Sequence, residues 1–136
     1  MTTVRQLAAR DINQHWSVIG PMLNAALTNS KCNDYTIVDL HKAVLAAKWD
    51  MFIAEDSGKV IGAAAVIFQP YPKDTVAYIA AIGGRLVTNK ETSGKFFDLL
   101  KARGASRVQG ASRPSVVRLW RRIGLKEKYA IVEGQL

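Results

Sequence analysis

Residues 52–62 read Phe52-Ile-Ala-Glu-Asp-Ser-Gly-Lys-Val-Ile-Gly62. Two β-rich runs flank Asp56-Ser57-Gly58, a triplet whose residue types favour a tight reversal, so the stretch predicts an antiparallel hairpin of strands over 51–55 and 59–68. Upstream, residues 4–7 suit a short first strand and Asp11 a helix cap. Ile12, Trp16, Ile19, Leu23 and Leu27 then recur at helical spacing. Gly20-Pro21 falls inside that run and predicts a kink or two shorter helices. Residues 28–34 are polar and read as a loop. Thr36 and Asp39 form a capping-box start for a second helix with Leu40, Val44 and Ala47 on one face.

Downstream, residues 69–74 hold two prolines and read as a loop. Residues 75–82 are β-rich and run into Gly83-Gly84, where the chain is expected to leave the sheet sharply. Phe96, Leu99, Leu100 and Arg103 keep a helical period that Gly104 ends. Residues 106–109 suit a short strand, and Pro114 suits the first turn of a helix. That helix turns Val116, Leu119, Trp120 and Ile123 inward and stops at Gly124. Residues 129–132 are expected to be the last strand. The order β-α-α-β-β-β-α-β-α-β predicts one α/β domain over 1–136, a mixed, mostly antiparallel sheet with helices on both faces.

The chain has 136 residues, 49% of them hydrophobic and 22% charged, which is the composition of an ordinary globular domain. A single cysteine, Cys32, excludes an internal disulfide framework and a cysteine-rich zinc site. No apolar run nears the ~20 residues of a membrane span. The start Met1-Thr-Thr-Val-Arg5 does not read as a signal peptide, and a membrane partner is not expected. The net charge is +8, and its distribution is uneven: residues 1–84 hold seven basic and seven acidic residues, residues 85–136 twelve and four. Such a field is either a solvated face or a surface for an anionic partner.

The hairpin at 52–62, together with Val116-Val-Arg-Leu-Trp-Arg-Arg-Ile-Gly-Leu-Lys-Glu127, resembles the GNAT superfamily of acyl-CoA-dependent N-acetyltransferases. The first stretch is similar to the family's second and third strands, the second to its late "A-x-x-L-Y-x-x-x-G-F" helix. The resemblance implies an acyl-CoA pyrophosphate loop, "R/Q-x-x-G-x-G/A", at a helix start, where free backbone N–H groups hold phosphate. Its counterpart here is Asn89-Lys-Glu-Thr-Ser-Gly94 followed by Lys95, so Asn89, Thr92, Ser93, Gly94 and Lys95 are the candidate cofactor residues. Asn89 replaces Arg or Gln, Thr92 replaces a glycine needed for close approach, and Glu91 adds a negative charge. Trp120 stands where active members carry a tyrosine able to protonate the thiolate, and an indole cannot do so. Arg113 replaces the family's upstream Asn and Leu125 its Phe.

A closer resemblance is to small GNAT-like proteins encoded among the virion genes of tailed bacteriophages. It rests on Trp16 with Pro21, Tyr71-Pro72-Lys73, Ile82-Gly83-Gly84, Gly104-Ala-Ser-Arg-Val108 and the stretch from Gly110 to Arg118. It implies a non-catalytic structural or assembly protein, present in several copies of a symmetric particle and found in the virion or in host cytoplasm during assembly. Its partners would be acidic virion subunits or packaged DNA. Arg118, Arg121 and Arg122 share one helix face, with Arg113 before them and Lys126 and Lys128 after, and these six are the expected partner-binding residues. No cofactor is expected on this reading. The alternative is a CoA-dependent N-acyltransferase with a degenerate loop, using acetyl-CoA.

Other chemistry is sparse. His15 and His41 read as structural residues, and Cys32 as an inert thiol. Glu55 and Asp56 could serve as an acyltransferase base, although acidic residues are ordinary in a hairpin turn. Val18, Met22 and Ala26 extend the first helix's apolar character and suggest a contact surface beside its core face.

Overall fold

The computed structural model describes residues 1–30 and 34–136. Its strands are β1 (Thr2–Leu7), β2 (Asp50–Asp56), β3 (Lys59–Pro70), β4 (Thr75–Gly84) and β5 (Arg107–Gly110). They lie in one sheet in chain order, antiparallel throughout except that β4 and β5 run parallel. The helices are α1 (Ile12–Ser30), α2 (Ile37–Leu45), the single turn α3 (Arg85–Thr88), α4 (Lys90–Ala102) and α5 (Pro114–Arg122).

Alternation along the central strands divides the core into two layers. Met51, Ile53, Ala63 and Ala65 meet Ile19, Leu23 and Leu27 of α1 and Leu40 and Val44 of α2. Phe52, Ala54, Ala64 and Val66 meet Phe96 and Leu100 of α4, Leu86 of α3 and Trp120 of α5. Helices thus cover both faces, as the sequence order implies. The Thr36–Asp39 capping box forms, with the Asp39 N–H donating to Thr36 Oγ1 at 3.2 Å and the Thr36 N–H to Asp39 Oδ2 at 2.9 Å.

Several expectations need correction. Helix α1 passes through Gly20-Pro21 as one element, because Ile19, Leu23 and Leu27 are buried on both sides of the proline and packing holds what local propensity would break. It also runs on through Thr28 to Ser30, whose hydroxyls donate back to the Asn24 and Leu27 carbonyls at 3.0 and 3.1 Å. Helix α2 ends at Leu45, and Ala47 lies beyond it at φ 57°. Strand β3 extends to Pro70, which pairs with Thr75 at the strand's end, where a missing N–H is tolerated. Residues 129–132 form no strand: Tyr129, Ile131 and Val132 are 71%, 82% and 91% exposed. A β-rich run without a neighbour to pair with gains nothing from its propensity. Gly104 and Gly124 do end α4 and α5, each at φ 97°.

Candidate active site

The centre of interest is one irregularity in β4. Ala65 pairs with Ala81 and Val66 with Ile79, so Ala80 is an extra residue in the ladder, a β-bulge. Its effect shows in the core: Ala77 and Ile79 face the α4–α5 layer, Ala80 and Ala81 both face the α1–α2 layer, and Ile82 returns to the other side. Parity slips by one at the bulge. The same place ends the pairing with β5, whose last partner pair is Ile79 with Gly110. Beyond it the chain turns away through Ala111 and Ser112 into α5, and residues 80–84 keep β3 alone as a neighbour.

A cleft of ≈ 290 Å³ opens along this bare edge. Met22, Ala25, Ala26, Asn29 and Ser30 of α1 form one wall, residues 79–84 the floor, and Ser112, Val116, Leu119 and Trp120 the other wall. Trp120 is 9% exposed and lies against β5: a Cβ on Gly110 would fall 2.1 Å from the indole Cη2. The glycine is therefore what lets the ring cover the end of β5. Tyr35 adds a brace from beside α2. Its hydroxyl donates to the Ala80 carbonyl at 2.6 Å, and its ring meets Trp49 edge-on at 5.1 Å.

The lining of the cleft along β4 ends at Gly84, the residue before α3. Gly84, at φ 67°, packs against the Ile61 carbonyl so closely that a Cβ would sit 2.3 Å from it, and α3 then turns the chain directly into α4. Asn89 caps α4, its Oδ1 accepting from the Thr92 N–H at 3.1 Å. The helix offers no acceptor for the N–H groups of Lys90 and Glu91. Thr92 and Ser93 are each 1% exposed and point inward; the Ser93 hydroxyl donates to the carbonyls of Leu86 and Asn89. Gly94 faces open space, with nothing within 4 Å of a Cβ built there. Lys95 is turned back to β1, donating to the Thr2 carbonyl at 2.7 Å, and lies 3.5 Å from the Glu91 carboxylate.

These positions change the weight of the sequence departures. Thr92 cannot crowd a phosphate, because its side chain is inside the protein. Glu91 has a cation beside it. Among the five candidate cofactor residues, Asn89 and Gly94 stand at the accessible helix start, while Thr92, Ser93 and Lys95 serve the fold.

The remaining candidates scatter. Arg118, Arg121, Arg122, Lys126 and Lys128 are exposed on α5 and after it, with Arg121 paired to Glu127 and Lys128 over the Tyr129 ring at 5.2 Å. Arg113 stands at the N-cap position of α5 without a side-chain cap bond, half-buried, its Nε enclosed and without a hydrogen-bond partner among the described residues. Glu55 is held by Arg5 at 2.7 Å at the hairpin and does not line the cleft. His41 Nε2–H donates to Asn13 Oδ1 at 2.8 Å and the ring stacks on Trp16 at 3.9 Å, a structural arrangement. Cys32 lies outside the described residues. Met22 and Ala26, expected on a contact surface, line the cleft, whereas Val18 is 49% exposed. The sequence gives no sign of the Ala80 bulge or of the Tyr35 brace, since both depend on how distant segments meet. Among the described residues no cluster of His, Cys, Asp and Glu could hold a metal, and no helix is long and apolar enough to cross a membrane.

No protein-family model matches the chain, and no curated protein matches its sequence. Solved structures do match its fold. A ribosomal-protein-alanine N-acetyltransferase from Brucella melitensis biovar Abortus 2308 superposes with a TM-score of 0.71 at 13% identity, covering 100% of this chain and 99% of that one. An aminoglycoside acetyltransferase from an uncultured soil metagenomic sample, in complex with sisomicin, gives 0.70 at 14% identity over 99% and 95%. A possible acetyltransferase from Clostridium difficile 630 gives 0.69 at 10% identity over 100% and 98%. The fold is that of the GNAT acetyltransferases. The expectation of a non-catalytic phage virion protein is corrected by the same finding: these matches are named as acetyltransferases, none of the three is a virion protein, and nothing in the structure supports that role.

Proposed function

We propose that the chain is an N-acyltransferase that moves an acyl group from a coenzyme A thioester to an amine. The observation that carries this reading is the Ala80 bulge at the point where β5 leaves β4, which exposes a strand edge to a cleft. Main-chain groups of residues 80–84 not used by β3 can hold the donor's amide-rich arm as another strand would. An N–H on that edge can donate to the thioester oxygen as it gains negative charge. The amine nitrogen attacks the thioester carbon, the N–C bond forms, the C–S bond breaks and the thiolate leaves. The amine's proton and the thiolate's are exchanged through water, giving amide and free thiol. Arg113, Arg118, Arg121, Arg122, Lys126 and Lys128 lend a positive field that attracts an anionic partner, and the donor's phosphates are such a partner.

Calorimetric titration with acetyl-CoA tests the reading. An affinity within the ~1 μM–1 mM span usual for enzyme substrates is expected. Ala26→Phe, which places a ring in the cleft from α1, should weaken binding at least ~10-fold while thermal stability holds. Absence of binding at millimolar donor overturns the proposal.

A further inference from the structure

The sheet has two outer edges, and they are finished differently. Along β1, Lys95 of α4 donates to the Thr2 carbonyl at 2.7 Å, and Arg5 and Gln6 donate to Glu55 and Asp50 at 2.7 and 3.0 Å. Charge and a crossing lysine of this kind discourage further pairing. The edge at β5 is plainer, because its one charged residue, Arg107, is turned to Asp74. The Ser106 N–H donates to the Thr75 carbonyl at 3.0 Å, toward β4. Successive strand residues aim their main-chain groups to opposite sides, so those of Arg107 and Gln109 aim away from β4, at the open edge.

The same chain carries a strand candidate without a ladder. Lys128-Tyr-Ala-Ile-Val-Glu133 is β-rich, precedes Gly134 and is exposed at every position. Among the described residues, no main-chain hydrogen bond joins residues 126–136 to the rest of the protein. The segment starts beside the open edge. Leu125 packs in the α4–α5 layer, as Val108 of β5 does. Arg107 is raised first by the Asp74 hydrogen bonds and last by Tyr71 and Tyr129, which sets Tyr129 near the start of β5.

We propose that residues 128–133 of each copy add as a strand to the outer edge of β5 in a second copy, so that two chains exchange these segments about a two-fold axis. Such an exchange needs the strand and the edge on one side of the protomer, where they are, and it makes one surface complementary to itself. Within one copy the two lie near each other and stay unpaired; between copies both are satisfied at once. The outward main-chain groups of Arg107 and Gln109 gain partners, and alternate side chains of the added strand continue the apolar layer past Val108.

Sedimentation equilibrium of the whole chain from micromolar to sub-millimolar concentration, with amide hydrogen exchange read at Arg107 and Gln109, tests the proposal. We expect a dimer, and exchange at both amides slowed at least ~10-fold as concentration rises through the dimerisation range. Ile131→Asp alters a side chain that is 82% exposed in its own copy. It should weaken the dimer at least ~10-fold and restore fast exchange at both amides, with far-ultraviolet circular dichroism of the helices unchanged. A chain that stays monomeric at sub-millimolar concentration overturns the proposal. So does a dimer that Ile131→Asp leaves intact. Protection of the two amides that does not vary with concentration also overturns it, because the segment would then be paired with its own β5. No acyl donor enters the experiment, so its outcome is independent of the preceding reading.

Discussion

Residues 76–79 and 80–84 belong to one strand and differ in their neighbours. The first run is hydrogen-bonded to β3 on one side and β5 on the other; the second has β3 alone. Alanine and isoleucine recur in both, and the second run adds Gly83 and Gly84. What separates them is a seam: the extra residue Ala80, the last β5 pair at Gly110, and Trp120 laid across that glycine. A sheet that stayed paired to its end would bury its backbone groups in itself. By parting at the seam, this one keeps a row of them available to a ligand, while the paired half supplies rigidity. Edge strands invite unwanted pairing, and here α1 and α5 wall the edge on both faces, leaving a cleft and not a flat rim.

The seam can be broken at Trp120. Its indole is the large side chain that covers the end of β5 and forms part of the cleft wall. Trp120→Ala should cost about 3–5 kcal/mol, as truncation of buried aromatic residues does, because the surrounding layer cannot close over the void. Urea denaturation gives the value. A cost below about 1 kcal/mol would show that β5 is held without the ring and that the two halves are not divided there.

The parts of this arrangement legible in the sequence are local ones. The Thr36–Asp39 box, the turn at Asp56-Ser57-Gly58 and the stops at Gly104 and Gly124 each depend on a few adjacent residues, and each forms as read. The seam is different. A bulge is a mismatch between two strands, and Ile79-Ala80-Ala81-Ile82 carries no residue that demands one. The direction of Thr92 is likewise set by how α4 packs on the sheet, so the residue types at 89–95 suggested a damaged phosphate loop where the structure shows an inward threonine and a capped helix start. Residues 129–132 failed in the opposite sense, since their β character is real and their partner is missing.

A smaller perturbation separates the seam's shape from its stability. Tyr35→Phe removes the hydroxyl that donates to the Ala80 carbonyl and keeps the ring against Trp49. One neutral hydrogen bond of this kind contributes about 0.5–1.5 kcal/mol, so thermal stability should fall only modestly. On the proposed acyltransferase reading, transfer should fall further, about tenfold, because misplacing the bulge would misplace the main-chain groups beside it. Equal losses in both measurements would assign Tyr35 to the fold alone.

The paired half has its own clamp, and acid should loosen it with the smallest effect of the three. Asp74, just before β4, accepts from Arg107 Nε at 2.7 Å and Nη2 at 2.9 Å and from the Ser106 hydroxyl at 2.9 Å, tying the start of β5 to β4. The Arg107 hydrogen bonds first, and the Ser106 bond second, hold the Asp74 carboxyl at about 2, below its ordinary 3.8. Arg107 is raised in turn by the same bonds. A carboxyl with a lower pKa folded than unfolded binds fewer protons in the native state, so its contribution is complete above pH 3.8 and is lost as pH falls toward 2. The pair is partly open to water, which keeps the contribution small and makes it sensitive to salt. Denaturation of the wild type and of Asp74→Asn between pH 6 and about 2 should give two curves that differ most at pH 6 and converge at the acid end. Curves that stay parallel through this range would show that Asp74 does not bind β5 to β4 through its charge, leaving the ladder of residues 76–79 to hold the paired half on its own.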